Sequence, residues 1–408
     1  MSMRFFRDIC VTLGAIVLTI TLFELGLRAA GAKYESSLYE SDPVLYMALR
    51  PGAEGWQAKE GENYVTINHW GMRDGEHGLS PAPGTLRIAL LGDSMIAAEQ
   101  VPLEKTMAKL LESRLQNQVG TATHSIEVLN FAVGGYTLAQ EYLLLQTRVW
   151  NFHPNIVILF LSPSSVPSCD KRLYAANIPF FVMRDGQLVP DPANHPPAAS
   201  SPSGQRWHAF WGNLMNHIRV FQVVRKATQD GIPREIAKLK GGKKSRNDNI
   251  LTMWLRPPSS PAQENAWQIA GELLARMAQD SRDRSATFWV SAIGPEIEEN
   301  PNPEVRAQFL RAHGLKNFDY AEQRLHTIAT ANNIQFISME SQLTEYAEQN
   351  HVSLRGFFNT RPNYGHWNEN GNAAAAAVVA DDLLQRGAAL NLPSQSTQGK
   401  IAANRGGS

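Results

Sequence analysis

Two cysteines in 408 residues, Cys10 and Cys169, cannot build a disulfide framework, and Cys10 falls inside an apolar run, so no covalent cross-link is expected to organise this chain. Net charge is missing too. Thirty-eight basic residues meet 38 acidic ones, which leaves no overall field to draw nucleic acid or a strongly anionic partner. The histidines show no zinc-type spacing, and no strand runs into the glycine- and lysine-bearing loop that cradles phosphate, so neither a metal nor a nucleotide cofactor is expected. No internal repeat is visible. What remains is a globular balance, 43% hydrophobic and 19% charged, in a chain long enough to bury a large core.

Arg4 and Arg7 precede Ile9 to Phe23, fifteen residues without a charge, and Leu25 to Leu27 continue the run past Glu24. A full span takes about 20 residues, and Glu24 and Arg28 stand near the end, where long side chains reach the interface. Residues 1–32 are read as an uncleaved signal anchor, arginines on the cytoplasmic side and everything after about residue 32 exported. Ala30-Gly31-Ala32 has the small-x-small form of a cleavage site, so a cleaved signal peptide is the competing reading.

Residues 33–85 form a mixed, glycine- and proline-punctuated extension with strand-like alternation at Tyr64 to Ile67. The stretch Leu86 to Gln100 then organises the rest. Ile88 to Leu91 is apolar without a break, as in a parallel strand buried on both faces, and it stops at Gly92-Asp93-Ser94. Leu103 to Gln116 carries helical spacing, Ile126 to Phe131 reads as a strand, Thr137 to Phe152 as a helix and Ile156 to Leu161 as a third strand. The rhythm resumes with a helix at Ala262 to Gln279, strands at Thr287 to Ile293 and Ile334 to Ser338, a helix at Asp319 to Asn332, and an alanine-rich helix at Asn372 to Arg386 closed by Gly387. Such alternation predicts an α/β fold, a doubly wound parallel sheet spanning residues 86–390. Within it, residues 187–260 read as an inserted loop and helical region, with five prolines between 187 and 205. Lys238, Lys240, Lys243, Lys244 and Arg246 read as a solvated basic loop, and residues 391–408 have the composition of a disordered tail. The tryptophans, Trp70, Trp207, Trp211, Trp254, Trp267 and Trp289 among them, suit either sugar stacking or core packing.

Ser94 stands at the carboxyl end of the first sheet strand, where open α/β sheets place their ligands. His366 lies in the polar loop Phe357 to Asn372 after the last strand, which ends on the same edge. A serine hydroxyl becomes a nucleophile when an imidazole takes its proton, and the resulting oxyanion needs backbone donors about 3 Å away. The amides of Ser94 and of Gly135, in the turn Gly134-Gly135, are the natural donors.

These stretches resemble the SGNH or GDSL-type esterases. Gly92-Asp93-Ser94 is similar to that family's first block, Asn130-Phe131-Ala132-Val133-Gly134-Gly135-Tyr136 to its second, and His366-Trp367-Asn368 with Gly371 to its last. The flanks Phe23 to Arg28, Asn68 to Asp74 and Val101 to Thr106 resemble the membrane-anchored bacterial branch. The resemblance implies a flavodoxin-like SGNH fold tethered to the bacterial inner membrane with its domain in the periplasm. It also implies Ser94 as nucleophile, His366 as general acid/base, and an acyl ester, such as an acetyl group on an exported polysaccharide, as substrate.

Two departures stand out. Ser162-Pro163-Ser164-Ser165 occupies the place of the third-block Asn, so Ser164 is at best a shorter donor. Asn363 and Tyr364 stand where an acid precedes the histidine; an Asn holds an imidazole tautomer but does not stabilise the imidazolium by charge. Asp93 and Asp170 are the acids that would compensate. With both features missing, an esterase fold serving as a binding or assembly protein for exported glycan is the alternative.

Overall fold

The computed structural model describes residues 3–121, 124–197, 202–228 and 246–386. Lys238, Lys240, Lys243 and Lys244, Gly387 and the tail from residue 391 lie outside them. The chain begins with helix α1 (Met3–Ala29), whose 27 residues extend about 40 Å. By length and composition this helix suffices to cross a membrane. The charged residues Arg7 and Asp8 lie inside it, so the helix is longer than the uncharged run alone indicates.

Strands β1 (Tyr39–Asp42) and β2 (Tyr46–Leu49) pair antiparallel, as do β3 (Glu54–Gln57) and β4 (Asn63–Thr66). The α/β body follows: β5 (Thr85–Leu91), the single turn α2 (Ser94–Ala97), α3 (Met107–Val119), β6 (Ser125–Asn130), α4 (Leu138–Thr147) and β7 (Ile156–Leu161). A hairpin β8 (Phe181–Arg184) and β9 (Gln187–Pro190) precedes helices α5 (Pro202–His217), α6 (Arg219–Lys226), α7 (Arg246–Leu255) and α8 (Pro261–Asp283). The chain closes with β10 (Thr287–Ala292), α9 (Pro303–His313), α10 (Tyr320–Ala331), β11 (Gln335–Ile337), α11 (Glu340–Asn350) and α12 (Glu369–Gln385).

Five strands form one parallel sheet in the order β11-β10-β7-β5-β6. Numbered along the chain this is 2-1-3-4-5, the flavodoxin-like doubly wound order, with its switch point between β5 and β7. The two-residue period of the strands explains why their sequences are apolar throughout. Ile88 and Leu90 of β5, with Ile156, Ile158 and Phe160 of β7, face α3, α11 and α12; Ala89, Leu91, Val157, Leu159 and Leu161 face α4, α8 and α10. Each of these side chains larger than alanine contributes about 1.5–3 kcal/mol on burial.

The bounds of α3 and α4 differ from those their periodicity predicts. Pro102 and the Thr106 side chain, which accepts from Lys109 N, delay α3 until Met107, and Arg148 leaves helical geometry, so Val149–Phe152 is a separate 3-10 turn. The inserted region is mostly helical where it is described.

Segment 33–85 is not an appendage. Leu38, Leu45, Leu49, Ala53, Val65, Ile67 and Met72 belong to the α4/α8 side of the core. The buried Arg73 donates to the carbonyls of Ala97, at 2.9 Å, and of Val101. Buried Asp74 accepts from Asn130 N at 2.9 Å and pairs with Lys109 Nζ at 2.7 Å, tying this segment to β6 and α3. Burial raises the Asp74 carboxyl, but His77, at 3.2 Å, and Lys109 outweigh it and hold the group below its ordinary value.

A carboxyl depressed by folding stabilises the native state above its unfolded-state value, about 3.9, and that contribution is lost as pH falls through the lower folded-state value. Asp74→Asn is expected to lower stability at pH 7 by roughly 3 kcal/mol, since it leaves Lys109 without its buried counter-charge. Urea unfolding of both proteins should show the gap closing below about pH 4; a gap unchanged at pH 2 would contradict the assignment.

Candidate active site

Ser94 begins α2 directly after β5, next to the switch point. Asp93 is the N-cap: its carboxylate accepts from Met95 N at 3.0 Å and from Ser162 Oγ at 2.6 Å. Among the described residues no acceptor takes the amide of Ser94 or of Gly135. At the neighbouring Gly134 a Cβ would lie 2.6 Å from Tyr39 Oη, so only glycine lets this turn run against the tyrosine.

The loop between α11 and α12 brings His366 to the serine. His366 Nε2 is 2.8 Å from Ser94 Oγ. On the other side of the ring, Nδ1 is 2.7 Å from a carboxylate oxygen of Glu60, which also accepts from the His366 amide at 3.0 Å. With Nδ1–H donated to the carboxylate, Nε2 carries the free lone pair and faces the hydroxyl. Burial raises the Glu60 carboxyl, yet the hydrogen bonds from the His366 ring and amide, with Lys59 nearby, hold it below the ordinary value. It is thus an anion positioned to stabilise an imidazolium.

Glu60 sits in the β3–β4 turn, 306 residues before its histidine. Asn359 clamps this turn to the last loop: its Oδ1 accepts from Gly61 N at 2.8 Å and its Nδ2 donates to Gly61 O at 3.1 Å. Gly365 completes the approach. It has φ +82°, and a Cβ there would lie 2.5 Å from Glu60 Oε2. Behind the loop, buried Arg355 holds Glu299 through two bonds of 2.8 and 2.7 Å and donates to Gly365 O at 3.1 Å. Trp367 Nε1 lies 3.0 Å from both Glu299 oxygens. Both chain neighbours of His366 are therefore fixed.

The expected imidazole partners do not reach the ring. Asn363 has φ +59° and its side chain accepts from Ser353 Oγ at 2.6 Å, so it shapes the loop's own turn. Tyr364 is exposed beneath Arg361. Asp170 pairs with Arg172 at 2.5 Å and with Asn265 at 2.9 Å, beyond the third strand's end and away from the cleft. Ser164 Oγ bonds Ser162 Oγ at 3.0 Å, and Ser162 leads to Asp93, so the third-block serines brace the N-cap. Glu60 escaped sequence reasoning because nothing local marks it: it lies in a polar Lys59-Glu60-Gly61-Glu62 run and has no fixed spacing to the histidine.

Ser94, His366, Glu60 and Gly135 line a cleft of about 320 Å³ whose wall also carries Glu35, Ser36, Tyr39, Trp56, Gln57 and Glu99. Buried Glu99 accepts from Tyr39 Oη at 2.6 Å and Gln57 Nε2 at 3.1 Å. Burial first, and the Glu99 charge second, push the Tyr39 phenol far up, so it stays a donor. Among the described residues no group of His, Cys, Asp and Glu is arranged to hold a metal ion.

A serine, an imidazole and a carboxylate thus stand in hydrogen-bonded series at the carboxyl edge of the sheet, an order in which the ring can take the hydroxyl's proton and the carboxylate can steady the charge that results. No protein-family model and no curated protein matches the chain. Solved structures similar to it include the acetyl xylan esterase AlAXEase, at 13% identity over 73% of this chain and 100% of that one with a TM-score of 0.36. TesA shares 13% identity over 73% and 97%, at 0.34. An acetylxylan esterase from Geobacillus stearothermophilus shares 10% over 76% and 95%, at 0.36. At such identities and TM-scores the likeness says nothing of this chain's chemistry, which its own residues must carry.

Glu60→Gln keeps the side chain's size and removes its charge. If the site turns over an ester, kcat should fall by about 10⁴-fold, the scale seen on neutralising the acid of serine proteases, with KM little changed. Asn363→Ala should leave the chemical step within about tenfold of wild type. The reverse ranking would restore Asn363 as the imidazole's partner.

Proposed function

We propose that this chain is an SGNH/GDSL-type serine ester hydrolase or O-acyl transfer protein. In this reading it is anchored in a bacterial inner membrane by α1, with the α/β body in the periplasm, and it acts on acetyl esters of a polysaccharide. The observation that carries the reading is the hydrogen-bonded series Ser94, His366, Glu60.

Ser94 Oγ attacks the ester carbonyl while His366 Nε2 takes its proton and Glu60 stabilises the imidazolium. The tetrahedral oxyanion is held by the amides of Ser94 and Gly135. Its collapse breaks the bond to the leaving alkoxide, which takes the proton back from His366 and leaves an acyl-serine. Water, or an acceptor hydroxyl in the transfer case, then gives its proton to His366 as it attacks. The acid or new ester departs, and Ser94 is restored. The third-block Asn is missing from this scheme, and losing one oxyanion donor costs about 10² to 10³ in turnover.

Cleft chemistry supports a small acyl group on a hydroxylated carrier. Glu35, Gln57, Lys59, Glu99 and Gln100 make its wall polar, and Trp56 and Tyr39 are the aromatic side chains lining it. A long acyl chain would demand an apolar channel. The binding-protein alternative drew on two missing features, an acid and an Asn; with Glu60 on the imidazole, only the second remains.

Hydrolysis of p-nitrophenyl acetate by the full chain is expected, lost by about 10⁶-fold in Ser94→Ala, and a fluorophosphonate should label wild type at Ser94 alone. A folded protein with neither turnover nor label, yet retaining glycan binding, would favour the assembly role. For topology, alkaline phosphatase fused after residue 40 should be active; activity from a cytoplasm-only reporter at that junction would refute export.

A further inference from the structure

Helices α5 and α6 carry an apolar surface that the proposed chemistry does not use. Trp207, Phe210 and Trp211 of α5 are 61%, 60% and 38% exposed, and their rings meet edge-on, Trp207 to Trp211 at 5.4 Å and Phe210 to Trp211 at 5.7 Å. Leu214 and Met215 extend this surface along α5, and Phe221 and Val224 carry it onto α6. Clustered exposed aromatics mark a surface built to be covered. The other side of α5 is polar and already committed: Asn213 Oδ1 accepts from Arg50 at 2.9 Å, and Asn216 accepts from Ser37 N at 2.8 Å and donates to Glu54 O at 3.0 Å.

What covers it is indicated by where α6 is fastened. Glu24 Oε2, near the end of α1, accepts from Val220 N at 3.0 Å in the first turn of α6. Arg28 Nη2 donates to His217 O at 2.6 Å, and Arg219 donates to the carbonyls of Leu27, at 3.3 Å, and of Ala32. Glu24 and Arg28 also pair with each other at 2.7 Å. The α5–α6 junction, residues 217–220, is thereby held at the level of residues 24–32, the end of an apolar helix whose own side chains are exposed, and the aromatic cluster lies within the two to three turns of α5 that lead into it.

We propose that α5 and α6 form a collar seated in the headgroup layer of the bilayer that α1 crosses, with phospholipid as the occupant of the Trp207, Phe210 and Trp211 face. This inference rests on the reading of α1 as a membrane span. Tryptophan gathers at this depth because its ring is apolar and its N–H is wet, and an amphipathic helix lies there with its apolar face at the acyl boundary. The collar also bears on the cleft. Asn216 fixes Ser37 and Glu54, while Ser36 Oγ accepts from Trp56 N at 2.9 Å, and Ser36 and Trp56 line the cleft. The cleft is thus held beside the membrane surface, where an ester on a membrane-borne carrier meets it.

The test uses the full chain in nanodiscs of phosphatidylcholine and phosphatidylglycerol, with a nitroxide on native Cys10 of α1 or, in a Cys10→Ser background, on Phe210→Cys. Collisions with oxygen and with a water-soluble nickel chelate report lipid and water contact. Both labels should favour oxygen over nickel relative to a label at the exposed Tyr346→Cys on α11. Adding Trp207→Ser and Trp211→Ser should shift the 210 label toward nickel and leave the Cys10 label unmoved. A lipid-immersed Cys10 label with a nickel-accessible 210 label overturns the collar and leaves the span intact. Nickel access at both sites overturns both. A 210 label shielded from both reagents means that protein, a second copy included, covers the face, and this also overturns the proposal.

Discussion

One contact, between a hairpin turn and the last loop, makes the site complete. The Glu60 carboxylate takes two hydrogen bonds from His366, one from the ring and one from the amide, and thereby fixes both the tautomer and the ring's direction toward Ser94. Everything around it serves that approach. Gly365 removes the Cβ that would collide with the carboxylate, Asn359 clamps the turn, and the buried Arg355–Glu299 pair holds the chain on both sides of the histidine. The acid is carried by a segment outside the α/β body, so the hairpins of residues 39–66 are part of the site.

This arrangement explains why the core extends where it does. An acid carried on a loop before the sheet is only as well placed as the segment bearing it, and a displacement of 1 Å at a reacting group costs orders of magnitude in rate. Leu38, Leu45, Leu49, Val65 and Ile67 anchor the hairpins in the α4/α8 side of the core, and Arg73 and Asp74 lock the chain before β5 onto α2, β6 and α3. The depressed Glu60 carboxyl follows from the same geometry, since two donors aimed at one carboxylate outweigh the desolvation that raises it.

Much of the fold is legible in the chain because it depends on local periodicity. Ile88 to Leu91 and Ile156 to Leu161 are apolar at every position, which only a strand covered on both faces requires, and the intervening amphipathic segments give the alternation of a parallel sheet. Ser94 and His366 are legible because strand ends and the last loop share one edge in that topology. Glu60 is not, because its role depends on a hairpin reaching across the molecule, and no spacing encodes such a contact. Asn363 fails for the complementary reason: it stands in the expected sequence position, but its left-handed backbone turns the side chain onto Ser353. The exposed face of α5 and α6 was equally hidden, since the proline-rich stretch 187–205 reads as a loop and the tryptophans after it suit core packing as well, whereas the helices carry Trp207 and Trp211 outward.

The most direct test of the central claim reads the His366 ring itself. Nitrogen-15 spectra of the full chain labelled at histidine should show one ring with a far-downfield Nδ1–H proton and a bare Nε2, and this signature should vanish in Glu60→Gln while the remaining histidines are unmoved. A His366 ring that carries its proton on Nε2, or whose spectrum ignores the loss of the Glu60 charge, would contradict the account.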